Sequence, residues 1–412
     1  MNTPSLTQVC EGNWLVTKEF LRKMVEINSF TTNVEGVNRM GEAVASQFKA
    51  LGFVSDFVAH ASPEYGRHLV LSRPAMADAP TVALIAHLDT VFPAEEEARN
   101  NFRWREEGDR VYGPGTNDIK GGIALIFLTL VTLRDERPEL FHATNWVILC
   151  NACEEVDSQD FGRLCQARLP VNTRACLIFE ADGGEGDDCS LVTERNGRAT
   201  FQVDVHGRGA HAGGQHMRGA NAIVQIGRIV ENLERLTNYE TGPTVNVGRI
   251  QGGTVINRVP EMASAELEMR AFSCLVFKAA KKHILSWTGA GDVHSRDEDA
   301  IPCQIHVTQL DETPPWPHNP GSEELFAFWQ SAGRDLKIDT GSERRGGLSD
   351  GNVLWNIFPT LDGLGPRGNH SHCSENDPSL GKEQEFADLT SFMPKAALNV
   401  RALSAMLAAP LS

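Results

Sequence analysis

Two side chains that can bind metal ions follow an apolar run in the first quarter of the chain. His87 and Asp89 are two residues apart and come directly after the run 82–86. Side chains at positions i and i+2 of an extended segment point to the same side, so an imidazole and a carboxylate are directed to one place. In open α/β sheets, ligands bind beyond the carboxyl ends of the strands. The spacing therefore allows a metal site, and equally a histidine that only hydrogen-bonds a local carboxylate.

Further carboxylate and imidazole groups follow later apolar runs. The candidate ligands beyond His87 are Asp118, Glu155, Glu180 and one of the late histidines, His370 or His372. Nitrogen and carboxylate ligands without thiolate suit zinc, with cobalt or manganese as alternatives. A carboxylate between two ions can bridge them, and Asp118 is the best candidate for that bridge. Paired ions about 3.5–4 Å apart clamp the attacking and leaving oxygens and lower the pKa of a bound water toward neutrality.

The neighbouring Glu154 and Glu155 are predicted to have different roles. Adjacent side chains on an extended backbone point in different directions, so one can bind a metal ion while the other accepts a proton. A glutamate pair alone is more often a solvated turn, but this pair follows the apolar run 147–149 closely. Glu154 is therefore the candidate general base.

The elements that must position these groups alternate between strands and helices. Helical spacing of apolar residues predicts two helices between residues 14 and 51, and another over 122–134. Strands are expected at 68–71, 82–86, 145–150 and 175–179, three of which end in candidate site residues. From about residue 196 the order becomes β-α-β-β-α-β, which is typical of a small α+β domain. The predicted division is 1–195, 196–311 and 312–412, with the middle part inserted between two halves of a larger α/β domain.

Composition limits the classes of function. A chain of 412 residues with 41% hydrophobic and 22% charged residues is expected to form two or more globular domains. No run approaches the roughly 18 apolar residues that cross a bilayer, and a net charge of -16 opposes binding to nucleic acid or anionic membranes. The 9 cysteines lack a disulfide framework and the first ten residues lack the pattern of a signal peptide, so a cytoplasmic location is predicted.

Five motifs, in order along the chain, resemble those of a known family. They are His87-Leu88-Asp89-Thr90-Val91, the segment 113–122 with Gly115-Thr116-Asn117-Asp118, Glu154-Glu155-Val156, Phe179-Glu180, and His372-Cys373-Ser374-Glu375. The chain is similar to the dizinc exopeptidase family that includes glutamate carboxypeptidase, acetylornithine deacetylase, succinyl-diaminopimelate desuccinylase and aminoacylase. One departure is Asp157, where the family commonly has glycine. The resemblance implies a zinc-exopeptidase-like catalytic domain, with a mixed sheet flanked by helices, and an inserted dimerisation domain.

The resemblance also implies a role for each site residue. The implied ligands are His87, Asp118 and Glu180 for one zinc ion, and His372, Asp118 and Glu155 for the other. Asp89 would accept the second ring N–H of His87 and so orient it. Glu154 would deprotonate the bridging water and later protonate the leaving amine. Counting from Gly365-Pro366 favours His372 over His370 as the late ligand.

The inserted domain and a later glycine-rich loop match further family motifs. His211, in the segment 207–213, is implied to reach the active site of a partner subunit and stabilise the oxyanion, which predicts a homodimer. Asn257 and Arg270 match positions that hold the free carboxylate of the substrate, and a guanidinium pairs well with a carboxylate. Gly346 and Gly347 match the loop whose backbone N–H groups approach the substrate.

The predicted function is hydrolysis of an amide or peptide bond next to a free carboxylate, as in a glutamate carboxypeptidase. The substrate would be a small peptide or an N-acyl amino acid. An N-acyl amino acid deacylase or a dipeptidase of the same family is the alternative, and a single-metal N-carbamoyl branch also exists. A non-catalytic binding protein would be expected if a ligand or the base were missing, and the sequence contains all of them.

Overall fold

The computed structural model describes residues 6–76, 78–186 and 188–410. The first five residues, on which the predicted cytoplasmic location partly rests, and the last two of the predicted segment 312–412 lie outside these ranges. Within them, no helix combines the length and apolar character needed to span a membrane. Contacts divide the chain into a first unit of residues 1–193, 318–344 and 349–412, and a second unit of residues 194–317 and 345–348.

The helices and strands alternate through much of the chain. The helices are α1 (Leu6–Val25), α2 (Val34–Phe48), α3 (Ala94–Arg99), α4 (Lys120–Glu136), α5 (Pro138–His142), α6 (Gln159–Arg168), α7 (Ala222–Glu234), α8 (Cys274–Leu285), α9 (Pro320–Leu336) and α10 (Leu389–Ala408). The strands are β1 (Val54–Ala59), β2 (Arg67–Arg73), β3 (Thr81–His87), β4 (Arg105–Glu107), β5 (Arg110–Tyr112), β6 (Asn145–Asn151), β7 (Ala175–Ile178), β8 (Cys189–Arg195), β9 (Gly197–His206), β10 (Ala210–His211), β11 (Thr244–Gly252), β12 (Arg258–Val259), β13 (Met262–Ala271), β14 (Gly289–His294), β15 (Pro302–Thr313), β16 (Thr340–Arg345), β17 (Thr360–Leu361), β18 (Gly368–Asn369) and β19 (Phe386–Asp388).

A mixed six-stranded sheet of order β1-β2-β6-β3-β7-β17 forms the centre of the first unit. Strands β6, β3, β7 and β17 are parallel, whereas β2 is antiparallel to β6 and β1 is antiparallel to β2. Every residue of β3 is buried, as expected for a central parallel strand covered on both faces. Because β6, β3 and β7 run in the same direction, their carboxyl ends meet at one edge of the sheet.

The central helix α4 is apolar around most of its circumference and is therefore buried on nearly all sides. Residues 120–133 are all buried, between β3 on one side and α1 and α10 on others. The ring of Phe127 lies 5.8 Å from that of Phe20 and 5.6 Å from that of Phe48, both edge-on. This packing holds the middle of α4 in the core, and the helix begins at Lys120, two residues after Asp118.

A small four-stranded sheet brings two distant loops of the first unit together. Its order is β18-β19-β5-β4, and Phe386 of β19 pairs with Tyr112 of β5. Strand β5 leads into the glycine-rich loop before Asp118, and β18 leads into the loop with His370 and His372. Antiparallel pairing through β19 therefore places these loops next to each other.

The second unit contains a five-stranded antiparallel sheet of order β11-β13-β9-β15-β14. Alternate residues of β9 are buried, and α7 and α8 cover the buried face. The predicted α/β class with an inserted α+β domain is confirmed. The sequence prediction missed β14, because Gly289-Ala290-Gly291-Asp292 lacks the alternation of apolar and polar residues that marks a strand.

Candidate metal centre

The carboxyl-terminal edge of the mixed sheet positions the predicted ligands of the first unit. His87 ends β3, Glu154 and Glu155 follow β6, and Glu180 follows β7. Asp118 precedes α4, and His372 lies in the loop after β18. The structure brings these six side chains into one cluster. Their convergence follows from parallel strands that end at the same edge and from the pairing of β5 with β19.

The two oxygens of Asp118 face different groups. Oδ1 lies 3.0 Å from His87 Nε2, and Oδ2 lies 3.3 Å from His372 Nε2. On the first side, His87 Nε2 is also 3.7 Å from Glu180 Oε1. On the second side, His372 Nε2 is 3.1 Å from Glu155 Oε2. One carboxylate thus separates a His87–Glu180 group from a His372–Glu155 group.

The charges in this cluster are strongly coupled. Burial opposes the charge of His87, yet hydrogen bonds to Asp118 and Asp89 raise its pKa well above the usual range. Burial raises the pKa of Glu154 well above normal, and although His87 opposes this, the charge of Glu180 adds to it. Burial and then the charge of Asp118 raise the pKa of Glu155 to about 7. Carboxylates outnumber imidazoles here, so the cluster has an excess of negative charge that cations would neutralise.

The donor set fits metal ions. Ligand atoms of His87, Asp118 and Glu155 lie within 4.8 Å of one another, and the same holds for His87, Glu154 and Glu180. The side chain of Glu155 is 6% exposed, and its Oε1 is buried and has no hydrogen-bond partner among the described residues. A buried carboxylate oxygen is normally hydrogen-bonded or bound to a cation, so this oxygen favours a metal ligand.

Asp89 is placed differently from the prediction. His87 Nδ1 lies 3.0 Å from the backbone carbonyl oxygen of Asp89 and 3.4 Å from its carboxylate, so the carbonyl is the nearer acceptor. The fully buried carboxylate instead accepts hydrogen bonds from Glu154 N (3.0 Å), Glu155 N (3.3 Å) and Thr31 Oγ1 (2.7 Å). The backbone turns at the end of β3, which brings the carbonyl to the ring. Asp89 therefore orients both His87 and the segment 152–155, which contains Glu154 and Glu155 and is called the glutamate turn below.

The two late histidines have different neighbours. His372 lies in the cluster, whereas His370 Nε2 is 3.4 Å from Glu383 Oε2. Both residues have left-handed backbone conformations, with φ of 66° for His372 and 58° for His370. Such values are uncommon outside glycine, so the loop is held in a shape that its residues do not favour by themselves. Of the two histidines, only His372 is directed at Asp118.

Glu385 supports the segment that contains Asp118, and sequence reasoning missed it. Its Oε1 accepts hydrogen bonds from Asn117 N (2.9 Å) and Asp118 N (3.3 Å), and its side chain is fully buried. Asn117 Nδ2 in turn donates to Ser371 Oγ at 2.8 Å. The only local signal was a glutamate directly before the apolar start of β19. Thr31, which holds Asp89, also lies outside every motif.

His211 and Asn257 are neighbours in the second unit. His211 pairs with Arg258 between β10 and β12, and Ala212 N donates to the carbonyl oxygen of Asn257 at 2.9 Å. The exposed imidazole of His211 accepts from Gly213 N (3.2 Å) and Gly214 N (3.0 Å) through Nδ1. A neutral ring that accepts at Nδ1 has its proton on Nε2, so Nε2 is a hydrogen-bond donor.

Arg270 and the glycine loop are also neighbours in the second unit. Arg270 Nη1 donates to the carbonyl oxygen of Gly346 at 3.2 Å, and its Nε donates to Glu268 Oε1 at 3.0 Å. Arg195 Nη1 donates to the carbonyl oxygen of Gly347 at 3.0 Å. Gly346 and Gly347 therefore direct carbonyl oxygens to two arginines. The predicted division assigned this loop to the catalytic domain, but its contacts are with the second unit.

Comparison with known proteins finds a domain match in the second unit and a relative that covers most of the chain. The family described as "Peptidase dimerisation domain" matches residues 193–291. Carboxypeptidase G2 of Pseudomonas sp. (strain RS-16) is 27% identical over 360 residues, which cover 86% of this chain and 82% of that protein.

Solved structures share the fold over nearly the whole chain. A tripeptidase from Staphylococcus aureus has a TM-score of 0.75 at 19% identity, covering 96% of this chain and 99% of its own. A dinuclear metal-binding peptidase of the M20 family from Bacillus subtilis has a TM-score of 0.67 at 13% identity, with coverage of 96% and 99%. The fold is thus that of the M20 peptidases, and the resemblance of this chain to the dizinc exopeptidase family of glutamate carboxypeptidase and acetylornithine deacetylase is confirmed.

Proposed function

We propose that the chain is a metal-dependent exopeptidase of the carboxypeptidase type that hydrolyses an amide or peptide bond next to a free carboxylate. The observation that carries this proposal is the position of Asp118, with one oxygen 3.0 Å from His87 Nε2 and the other 3.3 Å from His372 Nε2. A carboxylate shared in this way suits a pair of metal ions. Glu154, which lies in the same cluster, supplies the general base that hydrolysis needs.

Seven side chains of the first unit form the proposed reaction centre. The proposed ligands are His87, Asp118 and Glu180 for one ion, and His372, Asp118 and Glu155 for the other. Two zinc ions fit these nitrogen and carboxylate donors, with cobalt or manganese as alternatives. When bound, the ions supply Lewis acidity at the substrate carbonyl and lower the pKa of water. Asp89 contacts His87 and the backbone of the glutamate turn and so keeps both in position.

Glu154 is the proposed general base and acid. Its carboxylate accepts a proton from the attacking water and passes it to the amine nitrogen that leaves. A pKa held above the usual range by burial brings the group closer to the operating pH, which favours transfer in both directions. The bond from Glu154 N to Asp89 Oδ1 fixes the backbone from which this side chain extends.

His211 and the residues near it are proposed to bind substrate. The Nε2–H of His211 can donate to the oxyanion that forms at the scissile carbonyl, within a partner subunit's site. Arg270 already uses three N–H groups on Glu268 and Gly346, and two of its five remain for a substrate carboxylate. Asn257 and the backbone of Gly346 and Gly347 complete this proposed set.

A homodimer is proposed on the basis of the second unit. The dimerisation-domain match covers most of it, and β11 lies at an edge of its sheet. Large apolar side chains are exposed on α7 and on the β11–β13 side, including Ile223, Ile250, Ile256 and Met262. Exposed apolar surface beside an open strand edge is typical of a protein interface. A cytoplasmic location is also proposed, supported by cysteines that form no disulfide within the described residues.

A substrate panel tests the proposed activity. We expect the zinc- or cobalt-loaded protein to hydrolyse peptides with C-terminal glutamate and N-acyl glutamates, and Glu154→Gln to abolish turnover while it keeps two ions per subunit. Faster turnover of N-acyl derivatives of other amino acids would favour the deacylase alternative, and faster turnover of dipeptides would favour a dipeptidase. Turnover retained in Glu154→Gln would exclude Glu154 as the base.

Subunit mixing tests whether His211 acts in trans. Glu154→Gln and His211→Ala are each expected to be inactive as homodimers. Random mixing makes about half of the dimers mixed, and in each mixed dimer one site of two combines an intact Glu154 with the partner's intact His211. Activity should therefore return to about a quarter of wild type. If His211 acts within its own subunit, mixing restores nothing.

A further inference from the structure

A buried cluster of two histidines and an aspartate in the first unit has no role in the proposed reaction. His60 follows β1, His68 lies in β2, and Asp160 lies in the first turn of α6. His68 Nε2 is 3.4 Å and His60 Nε2 is 3.8 Å from the same oxygen, Asp160 Oδ2. The side chain of His68 is 1% exposed and that of His60 is 5% exposed.

The hydrogen bond at Nδ1 of His68 opposes metal binding by this cluster, although its donor atoms lie within 4.8 Å of one another. Ala152 N donates to His68 Nδ1 at 3.1 Å, and Ser62 N donates to His60 Nδ1 at 2.9 Å. A ring nitrogen that accepts a hydrogen bond carries no proton, so the proton of a neutral His68 is on Nε2, which cannot then bind a metal ion but can donate to Asp160 at 3.4 Å. His60 Nδ1 also lies 3.2 Å from the carbonyl oxygen of Ser62, so both of its tautomers are possible, and its Nε2, 3.8 Å from Asp160, is beyond hydrogen-bond distance.

The neutral form of His68 is favoured by its surroundings. Burial lowers the pKa of His68, although the hydrogen bond to Asp160 opposes the shift. Asp160 is itself held by Ala61 N at 2.9 Å and by Arg163 Nη2 at 2.9 Å. The carboxylate therefore keeps the Nε2–H of His68 on its side, and Nδ1 remains an acceptor for Ala152 N.

Ala152 begins the turn that carries the proposed base. The backbone N–H groups of the four residues 152–155 each donate to a side chain. Ala152 N donates to His68, and Cys153 N donates to Asn151. Glu154 N and Glu155 N both donate to Asp89. The pairing of β2 with β6 ends with Leu69 opposite Cys150, so His68 lies just beyond the last paired residues. Side chains, rather than a neighbouring strand, thus determine the shape of this turn.

We propose that His68 is a positioning residue for Glu154: its Nδ1 holds the backbone N–H of Ala152, and Asp160 on its other side fixes the tautomer that makes this bond possible. The role in catalysis rests on the proposed function. Without the acceptor, the buried N–H of Ala152 has no partner, and the turn must shift to find one. Glu154 and its carboxylate shift with it.

Two substitutions of His68 test the roles of its two ring nitrogens separately. In His68→Asn, the side-chain oxygen replaces Nδ1 and keeps the acceptor for Ala152 N, but the contact with Asp160 is lost. In His68→Gln, the amide reaches Asp160 but no acceptor remains for Ala152 N. His60→Gln is the matched control, because His60 Nε2 lies 3.8 Å from the same carboxylate oxygen and its ring nitrogens make no hydrogen bond to residues 152–155.

The variants are compared as metal-loaded enzymes by kcat, KM, metal content, and hydrogen–deuterium exchange of the peptide 151–157. For His68→Gln we expect kcat to fall about 10- to 100-fold, the range found for groups that support site residues, with two ions still bound and KM within about threefold. Exchange in 151–157 rises. For His68→Asn and His60→Gln, kcat stays within about threefold of wild type and exchange is unchanged.

Several results would overturn the proposal: equal losses in both His68 variants, an equal loss in His60→Gln, or an unchanged exchange rate in His68→Gln. Three metal ions per wild-type subunit, with one lost in either histidine variant, would show that the cluster binds metal instead. Failure of the proposed function looks different. If wild type hydrolyses nothing on the panel while exchange changes only in His68→Gln, the positioning of the turn is supported and the assigned activity is wrong.

Discussion

Asp89→Asn should lower turnover without removing metal, because Asp89 is the acceptor that shapes the glutamate turn. Its carboxylate is fully buried and accepts from Glu154 N at 3.0 Å, Glu155 N at 3.3 Å and Thr31 Oγ1 at 2.7 Å. An asparagine keeps one oxygen but replaces the other with an NH₂ group. Whichever way the amide is turned, its NH₂ faces at least one backbone N–H, and that hydrogen bond is lost.

The size of the effect follows from that single lost bond. A hydrogen bond to a charged acceptor contributes about 1.5–3 kcal/mol. If the loss is felt at the transition state, each 1.36 kcal/mol lowers the rate tenfold, which gives a decrease in kcat of about 10- to 150-fold. Thr31→Val is a milder variant for comparison, because it removes only the hydroxyl that donates to Asp89 and leaves the backbone N–H groups of Glu154 and Glu155 paired. The Thr31 hydroxyl donates to the same charged carboxylate, but the backbone of Glu154 and Glu155 keeps both of its hydrogen bonds, so we expect a smaller loss of kcat than in Asp89→Asn.

The assay measures kcat and KM for an N-acyl glutamate, with metal content determined on the same samples. We expect two ions per subunit in wild type, Thr31→Val and Asp89→Asn, with kcat falling in that order. An Asp89→Asn enzyme that turns over at the wild-type rate with full metal would refute this account of Asp89. Loss of an ion in Asp89→Asn would show that the contact with His87 dominates over the contacts with the turn.

Three further predictions concern the two late histidines, a buried ion pair of the first unit and the proposed dimer interface of the second unit. His372→Ala should lose one metal ion while His370→Ala keeps both, measured by metal analysis; the opposite pattern would make His370 the ligand. Lys395→Met should lower the free energy of unfolding by about 3–5 kcal/mol in denaturant titrations, because it leaves the buried Asp182, which lies 2.9 Å from Lys395 Nζ, without its ion pair. A loss below about 1 kcal/mol, the upper limit for a surface ion pair, would contradict this. Ile256→Glu should shift the sedimentation coefficient toward that of a monomer if the exposed apolar side of the second unit is the dimer interface, and an unchanged coefficient would place the interface elsewhere.

The sequence predicted the parts of the site that depend on local pattern. Apolar runs such as 82–86 and 145–150 are long enough to mark central strands, and the carboxylates and histidine directly after them must then lie at one edge of the sheet. The inserted domain was recognisable for the same reason, because most of its strands alternate strictly. These features depend on the order of neighbouring residues, which a sequence displays directly.

The rest of the site depends on contacts between distant segments. Nothing near Glu385 indicates that it accepts the backbone N–H groups of Asn117 and Asp118. The role of Asp89 in holding the glutamate turn required the path of the chain after β3, and His68 acts through a backbone atom, which no motif records. Strand β14 was missed because glycines interrupt its pattern, and it forms only by pairing with β15.

The contact between Glu385 and Asp118 spans 267 residues, and this separation affects when the centre can form during synthesis. The strands β3, β6 and β7, which lead to His87, Glu155 and Glu180, lie in the first half of the chain, whereas β17 of the same sheet is made only at residues 360–361. The support for Asp118 is complete only after β19 has been made and has paired with β5. At a synthesis rate of roughly 5–20 residues per second, the nascent chain spends about 10 s or more with ligands exposed and the centre incomplete. The proposed ligand His372 and the support of Asp118 by Glu385 thus become available only when nearly the whole polypeptide has been made.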